Sequence, residues 1–182
     1  MLPCPVCYRR GRDCEAGVMV WSGGARRVIG IDPGLAHTGF GVIDTAGGKL
    51  SLVSYGVIET SSTDSHEVRL LSIYNGFCKL LAEFSPDEAE METLFFSRNT
   101  TSAMAVAEAK GVLSLCLAQR GVPLFLYAPN QIKLSVTGSK SSSKEAVAQY
   151  VKILLELQTE PKPDHASDAL AGAITHIHHT FA

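Results

Sequence analysis

The feature that most restricts this chain is how little sequence separates its first three extended runs. Val28-Ile29-Gly30-Ile31 is β-branched, apolar on both faces, and stops at Asp32-Pro33-Gly34. Thr38 to Asp44 follows after a few residues, and Gly47-Gly48 then parts it from Lys49 to Thr60. Parallel neighbours need a crossover of about a dozen residues or more, so joints this short require antiparallel pairing. The spacing predicts two successive hairpins and a three-stranded antiparallel start.

Helical periods follow. Ser65 to Phe84 places Val68, Leu71, Tyr74, Phe77, Cys78 and Leu81 at intervals of three or four, and Ser85-Pro86 stops it. Ala89 to Phe95 reads as a short strand. Asn99 or Thr100 caps an Ala-rich helix to Gln119, ended by Gly121, and Val122 to Tyr127 reads as a buried strand. A Gly/Ser/Lys-rich stretch, Val136 to Ser143, leads into two helices, about Lys144 to Leu157 and about Asp164 to His178, divided by Pro161 and Pro163. The order βββαβαβ followed by helices predicts an α/β fold, a mixed sheet flanked by helices.

With 182 residues, 46% of them hydrophobic and 19% charged, the chain suits one domain and excludes a disordered or fibrous class. The longest nearly apolar run, Val112 to Ala118, is far short of the roughly 20 residues of a membrane span. Residues 1–25 lack periodicity and read as an extension ahead of one domain at 26–182. They carry Arg and Cys where a secretory signal would be continuously apolar, and five cysteines form no regular framework. A reduced, cytoplasmic protein is expected. Cys4, Cys7 and Cys14 amount to half a zinc site, and initiation at Met19 explains the segment more simply. Within residues 1–27, Arg9, Arg10, Arg12, Arg26 and Arg27 outweigh Asp13 and Glu15, so the remainder is more acidic than the net charge of −2 indicates. Binding to nucleic acid must then rest on local patches.

Three places hold acids that need a reason. Asp32 ends an apolar strand beside a turn; Asp, Pro and Gly are also plain turn formers. Glu90 and Glu92 share one face of a short strand, although Glu is a poor strand former; charge that protects an exposed edge would also explain them. Spacing alone does not choose between the two. In Asp164-His165-Ala166-Ser167-Asp168, Asp164 suits a helix N-terminus, whereas Asp168 lies among small apolar residues, where a carboxylate is costly unless paired or bound to metal. An oxygen-rich set of this kind suits Mg²⁺ or Mn²⁺, and two such ions clamp a phosphodiester.

Ile29-Gly30-Ile31-Asp32-Pro33-Gly34, Glu92-Thr93-Leu94-Phe95-Phe96-Ser97-Arg98-Asn99 and His165-Ala166-Ser167-Asp168-Ala169-Leu170-Ala171 resemble, in order and spacing, the three blocks of the RuvC family of bacterial Holliday junction resolvases. The resemblance spans about Arg27 to His178. It implies an RNase H-like fold, a homodimer, symmetric metal-dependent nicking of four-way junction DNA, and RuvA and RuvB as branch-migration partners. It selects Asp32, Glu92 and Asp168 as catalytic and metal-binding carboxylates, with Asp32 bridging two ions. The fourth acid is usually Asp, and here His165 occupies its place. An imidazole removes one negative charge, favours Mn²⁺ over Mg²⁺, and must be unprotonated to bind, so activity is expected to fall below the His pKa.

For DNA, Lys133, Lys140 and Lys144 flank the Gly/Ser stretch and suit backbone contacts; it is equally a solvated loop. Lys133 and Lys144 match family lysines needed for cleavage. Phe95 matches the aromatic that stacks on bases at the junction centre, and Arg98 is a phosphate or acid partner. Ala103, Ala107 and Gly111 form a small-residue stripe on the Ala-rich helix, suited to a dimer seam or to packing on the sheet. His176, His178 and His179 suit the last helix C-terminus and receive no catalytic role. Two alternatives stand beside the resolvase: a junction-binding module without catalysis, which would not need the three carboxylates, and an RNase H-like-fold phosphotransferase, whose nucleotide-binding second half does not fit in 182 residues.

Overall fold

The structure is a computed structural model that describes residues 25–93 and 100–180. Its strands are β1 (Arg26–Asp32), β2 (His37–Ala46), β3 (Lys49–Glu59), β4 (Glu88–Glu92) and β5 (Leu124–Tyr127). Its helices are α1 (His66–Phe84), α2 (Thr100–Arg120), α3 (Pro129–Thr137), α4 (Lys144–Leu154) and α5 (Asp164–Thr180). The strands form one mixed sheet in the order β3-β2-β1-β4-β5. The two short joints give antiparallel β1–β2 and β2–β3 pairs, while β4 and β5, each reached through a helix, run parallel to β1 and β4.

Because successive side chains of β1 point to opposite faces, its apolar residues serve two cores. Ile29 and Ile31 join Met91 of β4 against Ile73, Phe77 and Leu81 of α1 and Leu113 and Leu117 of α2. Val28 joins Ile43 of β2 against Leu170, Ala173 and Ile174 of α5, which in turn packs on Val136 of α3 and Val147 and Val151 of α4. Helix α5 is thus enclosed between the sheet and an outer pair of helices, and it is buried from Ala166 to Ile177 except at Asp168. Its approach to the sheet is close. A Cβ on Gly30 would stand 2.0 Å from the backbone oxygen of Ala169 and 2.8 Å from the nitrogen of Ala173.

Four local expectations are corrected by the tertiary arrangement. Strand β4 lies between β1 and β5 with its first four residues buried, so its glutamates do not protect an exposed edge. The edge is β5, which is half-buried rather than buried. Helix α3 occupies sequence that carried no helical expectation: Pro129 starts it, the Ala128 N–H donates to Gln131 Oε1 at 2.8 Å, and Gly138 ends it at φ 77°. On α1 the inward residues are Ile73, Phe77 and Leu81, while Val68 and Leu71 remain 48% and 56% exposed. The segment that carries Phe95 and Arg98, and the N-terminal extension, lie outside the described residues.

Gly30→Ala would force α5 away from β1, because the added methyl meets backbone that no rotamer change can move. It is expected to lower unfolding free energy by at least ~2 kcal/mol, as overpacking of a filled interior does; urea denaturation measures this.

Candidate active site

Strands β1 and β4 are parallel neighbours in the register Ile31↔Met91, so their next residues, Asp32 and Glu92, end side by side at the same edge of the sheet. Gly30 and Glu90, two positions earlier, both face α5, and period-two geometry turns Asp32 and Glu92 to that face as well. Helix α5 runs back across the sheet, which brings its first turn, with His165 and Asp168, to this edge. The result is an open pocket of about 330 Å³ lined by Asp32, Glu92, His165, Asp168, Lys133 and Lys144, with Ile132, Val147 and Ala171 among its apolar wall.

Two contacts organise the polar groups. His165 Nδ1 donates to Asp32 Oδ2 at 2.7 Å, and Lys144 Nζ donates to Asp168 Oδ2 at 3.1 Å. A neutral imidazole that donates through Nδ1 keeps the Nε2 lone pair for a ligand. Ser143 caps α4 by accepting from the Ala146 N–H at 3.2 Å, which fixes the helix start from which Lys144 reaches over. The edge carries more negative charge than its surroundings tolerate. Burial raises the Asp32 pKa, aided by the Asp168 charge and opposed by the hydrogen bond from His165. Burial, then repulsion from Asp32 and Asp168, pushes Glu92 up to about 7. The Asp168 charge in turn raises the Lys144 pKa.

The pocket therefore gathers Asp32, Glu92, His165, Asp168, Lys133 and Lys144. Lys140 is exposed and lies outside the lining, and so does Asp164. Lys133 sits on α3 and Lys144 on α4, so these are lysines held by helices rather than by a loop. The sequence reading passed over Lys110 and left the place of Glu90 open. Lys110 of α2 donates from Nζ to the Glu92 backbone oxygen at 2.8 Å and ties down the end of β4. The only local signal was a lone Lys beside the buried Ala109. Glu90 is 1% exposed, its Oε1 has no hydrogen-bond partner among the described residues, and it fills the space a Cβ on Gly172 would need, 1.9 Å from Oε2. Burial drives its pKa well above the usual carboxylate range, with the charges of Glu92 and Asp32 adding to this. His176 is buried far from this edge, where it meets Glu88 Oε2 at 3.1 Å and stacks on Phe125 at 4.3 Å; its role is structural.

A divalent ion fits this donor set. Three carboxylates and an imidazole supply the oxygen and nitrogen ligands that Mg²⁺ and Mn²⁺ take, and the carboxyl pKa values are raised first by burial and then by neighbouring carboxylates, a cost that a cation would offset. As placed, no three of the described His, Cys, Asp and Glu side chains converge on one ion position, because Asp32 is turned to His165 and Asp168 to Lys144. The His165 ring and the Lys144 ammonium stand where an ion would draw these carboxylates together.

A mixed sheet with carboxylates at adjacent strand ends, completed by the first turn of a helix across its face, defines a nuclease of the RNase H-like fold. Residues 28–176 match the family model of the crossover junction endodeoxyribonuclease RuvC, and the chain belongs to that family. It is 46% identical over 153 residues to the RuvC of Thermotoga maritima, covering 84% of this chain and 91% of that one. It is 49% identical over 150 residues to the RuvC of Treponema denticola, covering 82% and 84%. Among solved structures it is similar to Thermus thermophilus RuvC in complex with a Holliday junction substrate, with a TM-score of 0.81, 35% identity, and coverage of 85% of this chain and 94% of that one.

The sign of the Glu90 effect sets a test. Its folded pKa lies above the value of 4.5 for a free side chain, so the folded state holds a proton that the unfolded state releases. Stability is fullest below that value and falls as pH rises toward the folded pKa. Glu90→Gln removes the titration, so the melting temperature of the variant relative to the parent is expected to climb from pH 5 to pH 8; a difference independent of pH would contradict it.

Proposed function

We propose that this crossover junction endodeoxyribonuclease resolves four-way DNA junctions in recombination and repair, working as a homodimer that nicks two symmetric strands. The observation that carries this reading is the pocket in which Asp32, Glu92, His165 and Asp168 face Lys133 and Lys144 in a chain of the RuvC family. Acidic ligands beside lysines suit an ion and the phosphate that the ion must contact.

The chain's own groups divide the work. Asp32, Glu92, Asp168 and His165 would hold two ions, Mn²⁺ in preference to Mg²⁺. When bound, such ions polarise the scissile phosphate and supply hydroxide near neutral pH. Asp32 orients the His165 ring through Nδ1, and Lys144, held at Asp168 by its 3.1 Å contact, would lie within the pocket to meet the phosphate. Lys133 meets the backbone from the opposite wall. Lys140, exposed beyond the pocket, contacts the arms of the junction, Phe95 stacks on bases at its centre, and Arg98 meets a phosphate or a nearby acid. One nuclease domain spans 26–182, with residues 1–25 as an extension, in the bacterial cytoplasm; RuvA and RuvB are the partners in branch migration. Among the described residues no helix is long and apolar enough to cross a membrane.

The homodimer reading is supported on the outer face of α2. Gly111 is exposed and a Cβ there would meet nothing within 4 Å, while Ala103 and Ala107 of the same stripe are half-buried. Met104, Leu115 and, on α1, Leu71 are 63%, 54% and 56% exposed around it. Large apolar side chains left exposed on these two helices support the dimer reading.

Two experiments test the reading. With a labelled mobile junction, Mn²⁺ is expected to give paired symmetric nicks. Asp32→Asn should abolish them by about a thousandfold or more while junction binding persists, on the scale of losing a principal charge-stabilising group. His165→Asp should shift the metal requirement toward Mg²⁺. Tight binding with no cleavage by the parent under either metal would replace this reading with a binding module. For the dimer, Leu115→Glu should sediment as a monomer where the parent sediments as a dimer.

A further inference from the structure

Strand β2 touches His165 at two points. Gly39 passes so close that a Cβ on it would stand 2.0 Å from the His165 backbone oxygen and 3.0 Å from its Cβ. Two residues earlier, on the same face of the strand, the ring of His37 lies parallel to that of His165, with centroids 5.5 Å apart and planes 10° apart. His37 is the first residue of β2, paired opposite Glu59 of β3, and its own backbone is therefore held by the sheet.

The His165 side chain needs such a support. It is 46% exposed, and its hydrogen bond to Asp32 Oδ2 fixes the direction of Nδ1 but leaves the ring free to turn about that bond. Turning the ring swings Nε2, the atom that the Asp32 contact leaves to a ligand, away from the carboxylates. A second flat ring parallel to the first removes this freedom, because rotation would cost the offset stacking contact. We propose that His37 is a positioning residue that sets the plane of the His165 imidazole, so that Nε2 is presented to the metal before DNA arrives. This rests on the reading of His165 as a metal ligand. Groups that orient a ligand without touching the ion change affinity by roughly 10- to 100-fold when removed.

The test is Mn²⁺ binding to the full chain by titration calorimetry, without DNA, for His37→Ala, His37→Phe and His165→Ala, with melting temperature as the control for folding. His37→Ala is expected to weaken binding about tenfold. His37→Phe keeps a flat ring and is expected to restore most of that affinity, and His37→Ala should add nothing further when His165 is already Ala. Parental affinity in His37→Ala, or a His37→Phe as weak as His37→Ala, would overturn the positioning role while leaving His165 as a ligand. Parental affinity in His165→Ala would instead remove the ligand assignment on which the proposal rests.

Discussion

The structure depends on one close contact, that between the backbone of α5 and the middle of the sheet. Gly30 of β1 and Gly39 and Gly41 of β2 each leave room that a methyl group would fill with Ala169, His165 or Leu170. Without those side chains the helix settles onto the strands rather than onto a layer of side chains above them. Every polar group of the site inherits its position from this. Asp32 and Glu92 come from strand ends, His165 and Asp168 from the first helical turn, and a helix lifted by a few ångströms would leave two unrelated pairs. The outer helices α3 and α4 then pack on the far side of α5 and bring Lys133 and Lys144 to the same edge.

That assembly stores electrostatic cost. Glu90, Glu92 and Asp32 are all held above their ordinary pKa, with burial the largest cause at each; Asp168 adds to the burden on Asp32, Asp32 and Asp168 to that on Glu92, and Glu92 and Asp32 to that on Glu90. Lys110, itself lowered by burial, is raised by Glu90 and Glu92 and anchors the Glu92 carbonyl. Positive charge brought to such a site would relieve that cost, so affinity for a cation and tolerance of the fold would be two sides of one balance. The contrast with the Arg26–Glu88–His176 group is instructive. There Glu88 is also buried, but Arg26 at 2.9 Å and His176 at 3.1 Å satisfy it within the protein.

Much of this was legible before any coordinates. The hairpins followed from joint lengths, the ends of α1 and α2 from Ser85-Pro86 and Gly121, and the three family blocks contain four of the six charged or imidazole groups that line the pocket. What escaped did so for identifiable reasons. The signals for α3 were Pro129 at its start, Gln131 at its third position and Gly138 at its end, but nine residues with Ile132, Val136 and Thr137 lack a persuasive helical period. On α1 two apolar stripes coexist, and periodicity does not say which one meets the sheet and which faces outward on Leu71. The central place of β4 depends on pairing with β1, some sixty residues away, as the Ile29↔Ala89 register records.

By itself the sequence determined the connectivity of the first three strands and the chemistry of the site residues, because turn length and side-chain type act over a few residues. Tertiary structure alone decided that Glu90 lies buried beneath Gly172, that Lys110 holds the end of β4, that Lys140 stands apart from Lys133 and Lys144, and that His37 faces His165. Those outcomes depend on strand register and on how far a helix sinks toward a sheet. Both are set by contacts between segments distant in the chain, and no local pattern of residues carries them.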